Sequence, residues 1–138
     1  MTAKELLNKI ISIRKSIDYR KTKLEAAVKR AVRTTPHLTG MPHNPSSDSS
    51  MLATAVSEKI DLEREISELE EERKALIAKI DLLGEDDYSR ILVLRYAHEE
   101  KWETIMAEMN YSPSWTYHMH LEAIKRLDVI LKEQSKTE

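Results

Sequence analysis

The stretch NYSPSWTYHMHLEAIKRL, residues 110–127, decides how the C-terminal part of this chain is built. Ser112 is a good helix N-cap, and Pro113 suits the first helical position, where its missing N–H would have no partner anyway. Asn110, just ahead, tolerates the left-handed backbone that ends many helices. One helix therefore stops near Asn110 and the next begins at Pro113, across the three or four residues of a helix-turn-helix. On the second helix Thr116, Met119 and Ala123 follow the helical period and predict the buried stripe. Pro113, Ser114, Trp115, Tyr117 and His118 then face outward, more large half-polar side chains than a core-filling helix needs. In a helix-turn-helix the first turns of the second helix enter the DNA major groove. Ser112, Pro113, Ser114, Trp115, Tyr117 and His118 are thus candidate DNA-binding residues. Lys101, Lys125 and Arg126, together with Arg95, are candidate phosphate contacts.

Working outward from the turn, WETIMAEMN (102–110) predicts a short helix with Trp102, Ile105, Met106 and Met109 inward. DYSRILVLRYAH (87–98) predicts another, with Ile91, Leu94 and Tyr96 in the core and Val93 as a further candidate. The helix after the turn extends over about 113–133, adding Ile124, Leu127, Ile130 and Leu131 to its stripe. Three such helices make a compact bundle over 84–138. Gly84 stops the helix before the bundle, and Asp86 or Asp87 caps the first helix within it.

Upstream, residues 3–33 carry Leu6, Ile10, Ile13, Ile17, Leu24, Val28 and Ala31 at steps of three, four and seven, interrupted by Arg20. A second stripe over 50–83 runs through Leu52, Val56, Ile60, Ile66, Leu69, Leu76, Ile77, Ile80 and Leu83, with Ser49 or Ser50 as its cap. Each helix should be on the order of 45–50 Å long. Between them, residues 34–50 hold three Pro, one Gly and four Ser and predict a loop. Residues 1–33 contain ten Lys/Arg and three Asp/Glu; residues 48–83 contain five and ten. Opposite charge favours laying one helix against the other. The expected fold is all-α: a long antiparallel helical hairpin over 1–83, which joins subunits into a homo-oligomer, followed by the helix-turn-helix bundle over 84–138. A hairpin of two such stripes still exposes apolar edges, which is the reason to expect self-association.

The composition narrows the class further. Gly is only 2, Phe is absent and charged residues are 33%, which favours helix over sheet. With Cys 0 there is neither disulfide framework nor thiolate metal site, which suits a reducing cytosol. No apolar run approaches the roughly 20 residues that cross a bilayer, and the start MTAKELLNKIISIRK lacks a cleavage-site pattern. No membrane role is expected. No carboxylate pair, Gly-rich phosphate loop or Ser/His/Asp set has a workable arrangement, so neither enzyme activity nor a cofactor is expected. His118 and His120, two apart on a helix, point to different sides and do not make a zinc site. His120 is expected to pack within the bundle, and His37 and His43 to lie exposed in the loop.

Residues 90–127 resemble region 4 of sigma-70-type factors, and more closely the phage and prophage late-transcription regulators of the RinA/ArpU type. The shared positions are Leu94-Arg95-Tyr96, Trp102, Ile105, Met109, Tyr111-Ser112, Tyr117, His120, Ala123-Ile124 and Leu127. The helical hairpin with a Gly/Pro loop upstream is also similar. The resemblance implies a DNA-binding activator of phage late genes that contacts double-stranded DNA and host RNA polymerase. The chain departs from it at Met106, where a small Ala is usual. It departs again at Pro113, Trp115, Tyr117 and His118, where sigma factors place Arg and Gln. Bidentate guanine contacts by Arg are therefore not available there. Base contact would rest on Ser114, on hydrogen bonds from Tyr117 or His118, and on apolar contact with a thymine methyl. Because residues 84–138 hold seven Lys/Arg and eleven Asp/Glu, binding should be modest and strongly salt-dependent. The alternative is a coiled-coil assembly protein such as a small-terminase-like phage DNA-packaging component, although that family usually places its helix-turn-helix first. A sigma-like subunit acting only through polymerase is a weaker alternative, since no promoter-melting or polymerase-clamping region is recognisable.

Overall fold

The computed structural model describes residues 1–34 and 45–137, and the described residues are helical with no strand. Helix α1 is Ala3–Thr34 and α2 is Pro45–Ile80, closed by a 3₁₀ turn at Asp81–Leu83. Helix α3 is Asp87–Leu92 and continues into a π turn at Val93–Ala97; α4 is Trp102–Met109 and α5 is Pro113–Thr137. This is the all-α fold expected, with a long first helix packed on the second and a small helical bundle after them.

Several boundaries arise from local chemistry. Thr2 and Glu5 form a capping box at the start of α1: the Glu5 amide donates to Thr2 Oγ1 at 3.2 Å, and the Thr2 amide to Glu5 Oε2 at 3.3 Å. The turn after α2 ends on Gly84, whose φ of 94° lies where side-chain-bearing residues are disfavoured. Asp86 caps α3 by accepting from the Ser89 amide at 3.0 Å. The N-terminus of α2 differs from expectation. Helix begins at Pro45, so neither Ser49 nor Ser50 is its cap. His37 and His43 fall outside the described residues.

The chain forms two compact units. One is Lys15–Glu71, the body of the hairpin; the other combines Met1–Arg14 with Glu72–Glu138. The bundle is therefore larger than residues 84–138, because the first turns of α1 and the end of α2 belong to it. In the hairpin body, Ile17 and Ala27 are buried with Ala55, Leu62 and Ile66. Ion pairs Arg20–Glu65 (3.1 Å), Lys21–Glu70 (3.9 Å) and Arg30–Glu58 (2.7 Å) show the two helices running antiparallel. They are the basic-on-acidic contacts that the charge blocks predict. Arg20, the interruption in the first stripe, is half-buried, and also donates to Ser16 Oγ at 2.5 Å.

The stripe itself needs correction. Val28, Val56 and Ile60, assigned to the seam, are exposed; Ala27 and Ala55 are buried instead. Two alanines at the seam permit close approach of the backbones, and the neighbouring branched residues then fall outside the contact.

In the other unit the largest fully buried side chains among the described residues are Leu6, Leu7 and Ile10 of α1, Ile80 of α2, Ile91 and Leu92 of α3, Ile105 of α4 and Leu127 of α5. The amide of Ala3 donates to Asp128 Oδ1 at 2.6 Å, fastening the start of α1 to α5. Arg73 Nη2 donates to the Ala97 carbonyl at 2.5 Å, closing the end of the π turn. Arg14 pairs with Glu99, one of two non-glycine residues with positive φ among the described residues. The π turn also corrects the core assignment: Leu92, absent from the expected core, is fully buried, whereas Val93, Leu94 and Tyr96 are only half-buried. A wider turn rotates every later side chain off the 3.6-residue period.

Candidate nucleic-acid interface

The turn between α4 and α5 is built as its residue types dictate. Asn110 ends α4 with φ 56° and ψ 45°, in the left-handed region. Its amide and that of Tyr111 both reach the Met106 carbonyl, the latter at 3.0 Å, satisfying an acceptor that the helix end would otherwise strand. Ser112 caps α5: its Oγ accepts from the Trp115 amide at 3.2 Å, and its carbonyl accepts from the Thr116 amide at 2.9 Å and the Thr116 hydroxyl at 2.8 Å. Pro113 is the first helical residue.

These constraints fix which side of α5 faces away. Thr116, Met119, Ala123, Ile124, Leu127 and Leu131 are buried. Ser112, Pro113, Ser114, Trp115, Tyr117 and His118 are exposed, Trp115 at 47% and Tyr117 at 67%. By helical phase Ser114, His118 and Lys125 lie along the middle of the outward face, with Trp115 on one edge and Tyr117 on the other.

The aromatics are ordered against one another. Tyr111 donates to Asp87 Oδ2 at 2.9 Å, tying the turn to the start of α3. Trp115 meets the Tyr111 ring edge-on at 6.3 Å and stacks on His118 at 5.1 Å. Tyr111 is thus a supporting residue that the sequence alone does not mark as part of the site. Its spacing to Trp115 and His118, one and two helical turns, is the signal that could have found it.

A second cluster backs α4 against α5. The Tyr96 hydroxyl lies 2.8 Å from His120 Nε2, and the two rings stack at 5.8 Å. Trp102 meets His120 edge-on at 4.8 Å, and the Arg95 guanidinium covers the Trp102 ring at 4.6 Å. Burial, and then the nearby Arg95 charge, hold the His120 imidazole below its ordinary value. Burial raises the Tyr96 hydroxyl, partly offset by Arg95. His120 therefore packs and hydrogen-bonds within the bundle, as expected, and is half-buried like Trp102 and Tyr96. An opening of about 350 Å³ between α4 and α5 is lined by Trp102, Met106, Pro113, Thr116, Tyr117 and His120.

The candidate phosphate contacts divide. Lys101, beside the start of α4, and Lys125, in line with His118, are exposed. Arg126 is exposed but turned aside: its guanidinium covers the Tyr88 ring at 4.2 Å and its Nε lies 3.5 Å from Glu122. Arg95 is committed to Trp102 and to the Glu100 carbonyl at 3.1 Å. Among the described residues no group of three or more His, Cys, Asp or Glu is placed to hold a metal ion, and no helix is long and apolar enough to cross a membrane.

The family described as "Protein of unknown function (DUF1492)" matches residues 47–128, from the start of α2 to well into α5. The chain belongs to that family. The match spans the entire turn and the exposed aromatic face. No curated protein and no solved structure matches the chain.

Proposed function

We propose that this chain is a sequence-specific DNA-binding transcriptional regulator of the RinA/ArpU type, an activator of phage late genes in the bacterial cytoplasm. Its α5 would enter the major groove. The observation that carries this reading is the exposure of Ser114, Trp115, Tyr117 and His118 immediately beyond a capped helix start, on a helix whose opposite side is anchored in a core. Such a face is stiff and displays hydrogen-bonding and apolar groups together, the combination that base edges require. Lys101 and Lys125 would meet phosphates, and contact with host RNA polymerase would follow from activation. Neither catalysis nor a cofactor enters this reading.

The test is selection of bound fragments from a phage genome, followed by fluorescence anisotropy on the recovered site. Tyr117→Ala and His118→Ala should each weaken that site about tenfold relative to random DNA, while unfolding stays within about 0.5 kcal/mol of wild type. Fragments bound no better than random duplex at low salt would refute the proposal.

The exposed apolar edge of the hairpin favours a second reading, a coiled-coil assembly component for which the bundle is a docking module. On that reading neither substitution changes any DNA affinity.

A further inference from the structure

Among its described residues, the hairpin body Lys15–Glu71 exposes an apolar edge. Val32 and Ile60 are 66% and 57% exposed, with Val28 and Val56 exposed beside them. Helical phase puts all four on one side. Val28 follows Lys21 by one heptad and Val56 precedes Glu70 by two, so each pair shares a helix face to within about 20° per heptad. The Lys21–Glu70 pair, 3.9 Å, marks that face as common to both helices. Val32 and Ile60 follow Val28 and Val56 by one turn. The Arg30–Glu58 pair, 2.7 Å, sets the level: Val28 lies opposite Ile60, and Val32 opposite Val56. A groove lined by Leu52, Val56 and Ile60 runs along α2 on this side.

We infer that this edge docks a second copy of the chain, with the two-fold axis parallel to the hairpin, forming an antiparallel four-helix bundle. Charge selects both occupant and orientation. Residues 15–33 hold seven Lys/Arg and two Asp/Glu, whereas residues 48–71 hold two and eight. A two-fold axis along the hairpin lays each basic α1 on the acidic α2 of the other copy. An axis across the hairpin would stack α1 on α1 and α2 on α2, like charge on like. The four exposed branched side chains then leave water together at the centre, with the charged residues around them. This surface works whether or not α5 binds DNA.

The test uses the full chain without DNA. Sedimentation equilibrium should show a dimer at micromolar concentrations. The double variant Val56→Glu/Ile60→Glu should raise its dissociation constant roughly a hundredfold or more, while Thr54→Glu, exposed on the other side of α2, leaves it unchanged. Orientation is read by cross-linking, since the chain has Cys 0 and introduced thiols meet no background. A mixture of Val28→Cys and Ile60→Cys chains should form an intermolecular disulfide that neither forms alone. This result also decides the matter if the double-glutamate variant loses its helical circular dichroism. A monomeric wild type, a dimer indifferent to Val56→Glu/Ile60→Glu, or Ile60→Cys chains that cross-link among themselves would each overturn the inference.

Discussion

Asn110 offers the sharpest test of how the α4–α5 turn is held. Its φ of 56° and ψ of 45° lie in a region that costs an ordinary L-residue about 1–2 kcal/mol and a β-branched one more. Two amides, those of Asn110 and Tyr111, converge on the Met106 carbonyl only while the backbone stays there. Asn110→Ala should therefore cost about 1 kcal/mol and Asn110→Val about 2 kcal/mol. Asn110→Gly should come within about 1 kcal/mol of wild type, because relief of the positive φ is offset by greater freedom of the unfolded chain. For a chain of 138 residues these values correspond to a fall in Tm of about 4 °C per kcal/mol. Thermal unfolding by circular dichroism reads the order directly: Gly near Asn, then Ala, then Val. Ala107→Val, exposed one turn earlier in α4, is the control and should lose only about 0.5 kcal/mol of helix propensity. If Asn110→Val unfolds with the wild-type Tm, the left-handed turn is not what joins the two helices. The orientation argued for the α5 face would then lose its basis.

Two further outcomes rest on the packing. The unfolded chain takes up a proton at His120 near pH 6.5, which the folded chain resists because the ring is buried beside Arg95. Stability should thus be full above pH 6.5 and decline as pH falls from there toward the lower folded value; urea midpoints at pH 8 and pH 5.5 measure the loss, and His120→Asn should remove this part of it. Leu92→Ala should destabilise by about 2–5 kcal/mol and Leu94→Ala by less, since Leu92 is fully buried and Leu94 only half-buried; equal costs in denaturant unfolding would contradict the π turn.

Much of the architecture is legible because capping residues and period act locally. Gly84, Asp86, Asn110, Ser112 and Pro113 each do what their backbone preferences and side-chain oxygens allow, independently of distant contacts. The capping box at Thr2 and Glu5 is equally local, a Thr followed three residues later by Glu. Seam positions are another matter. Val28 and Ala27 differ in phase by only 100°, and both suit a stripe read from hydrophobicity alone. Which of them meets the partner helix depends on how closely the backbones approach, and that is set jointly by Ala27 and Ala55 on different helices. The π turn at 93–97 escapes for a similar reason: nothing within VLRYA announces it, and its end is fixed by Arg73 from α2.

The candidate interface shows the same division between what a helix decides by itself and what its neighbours decide. The sorting of Thr116, Met119 and Ala123 from Ser114, Trp115, Tyr117 and His118 is a matter of angle on one helix, so the sequence sufficed. The destinations of the cations are not. Arg126 and Lys125 are adjacent and so 100° apart on the helix; the latter stays in line with His118, while the former, beside the face, is held by the Tyr88 ring and Glu122. A guanidinium over an aromatic ring at 4.2 Å gains more than an ammonium would, because its flat, weakly hydrated surface can stack. Helical phase leaves the lysine outward, and Tyr88 engages the arginine. The result is an α5 face with aromatic and hydroxyl groups at its centre and no arginine among them. Discrimination between DNA sequences would then have to come from Ser114, Tyr117 and His118 acting through single hydrogen bonds and apolar contact. Such contacts demand close positioning, and on the proposed reading the ring stack of Tyr111, Trp115 and His118 would supply it by fixing the imidazole in advance.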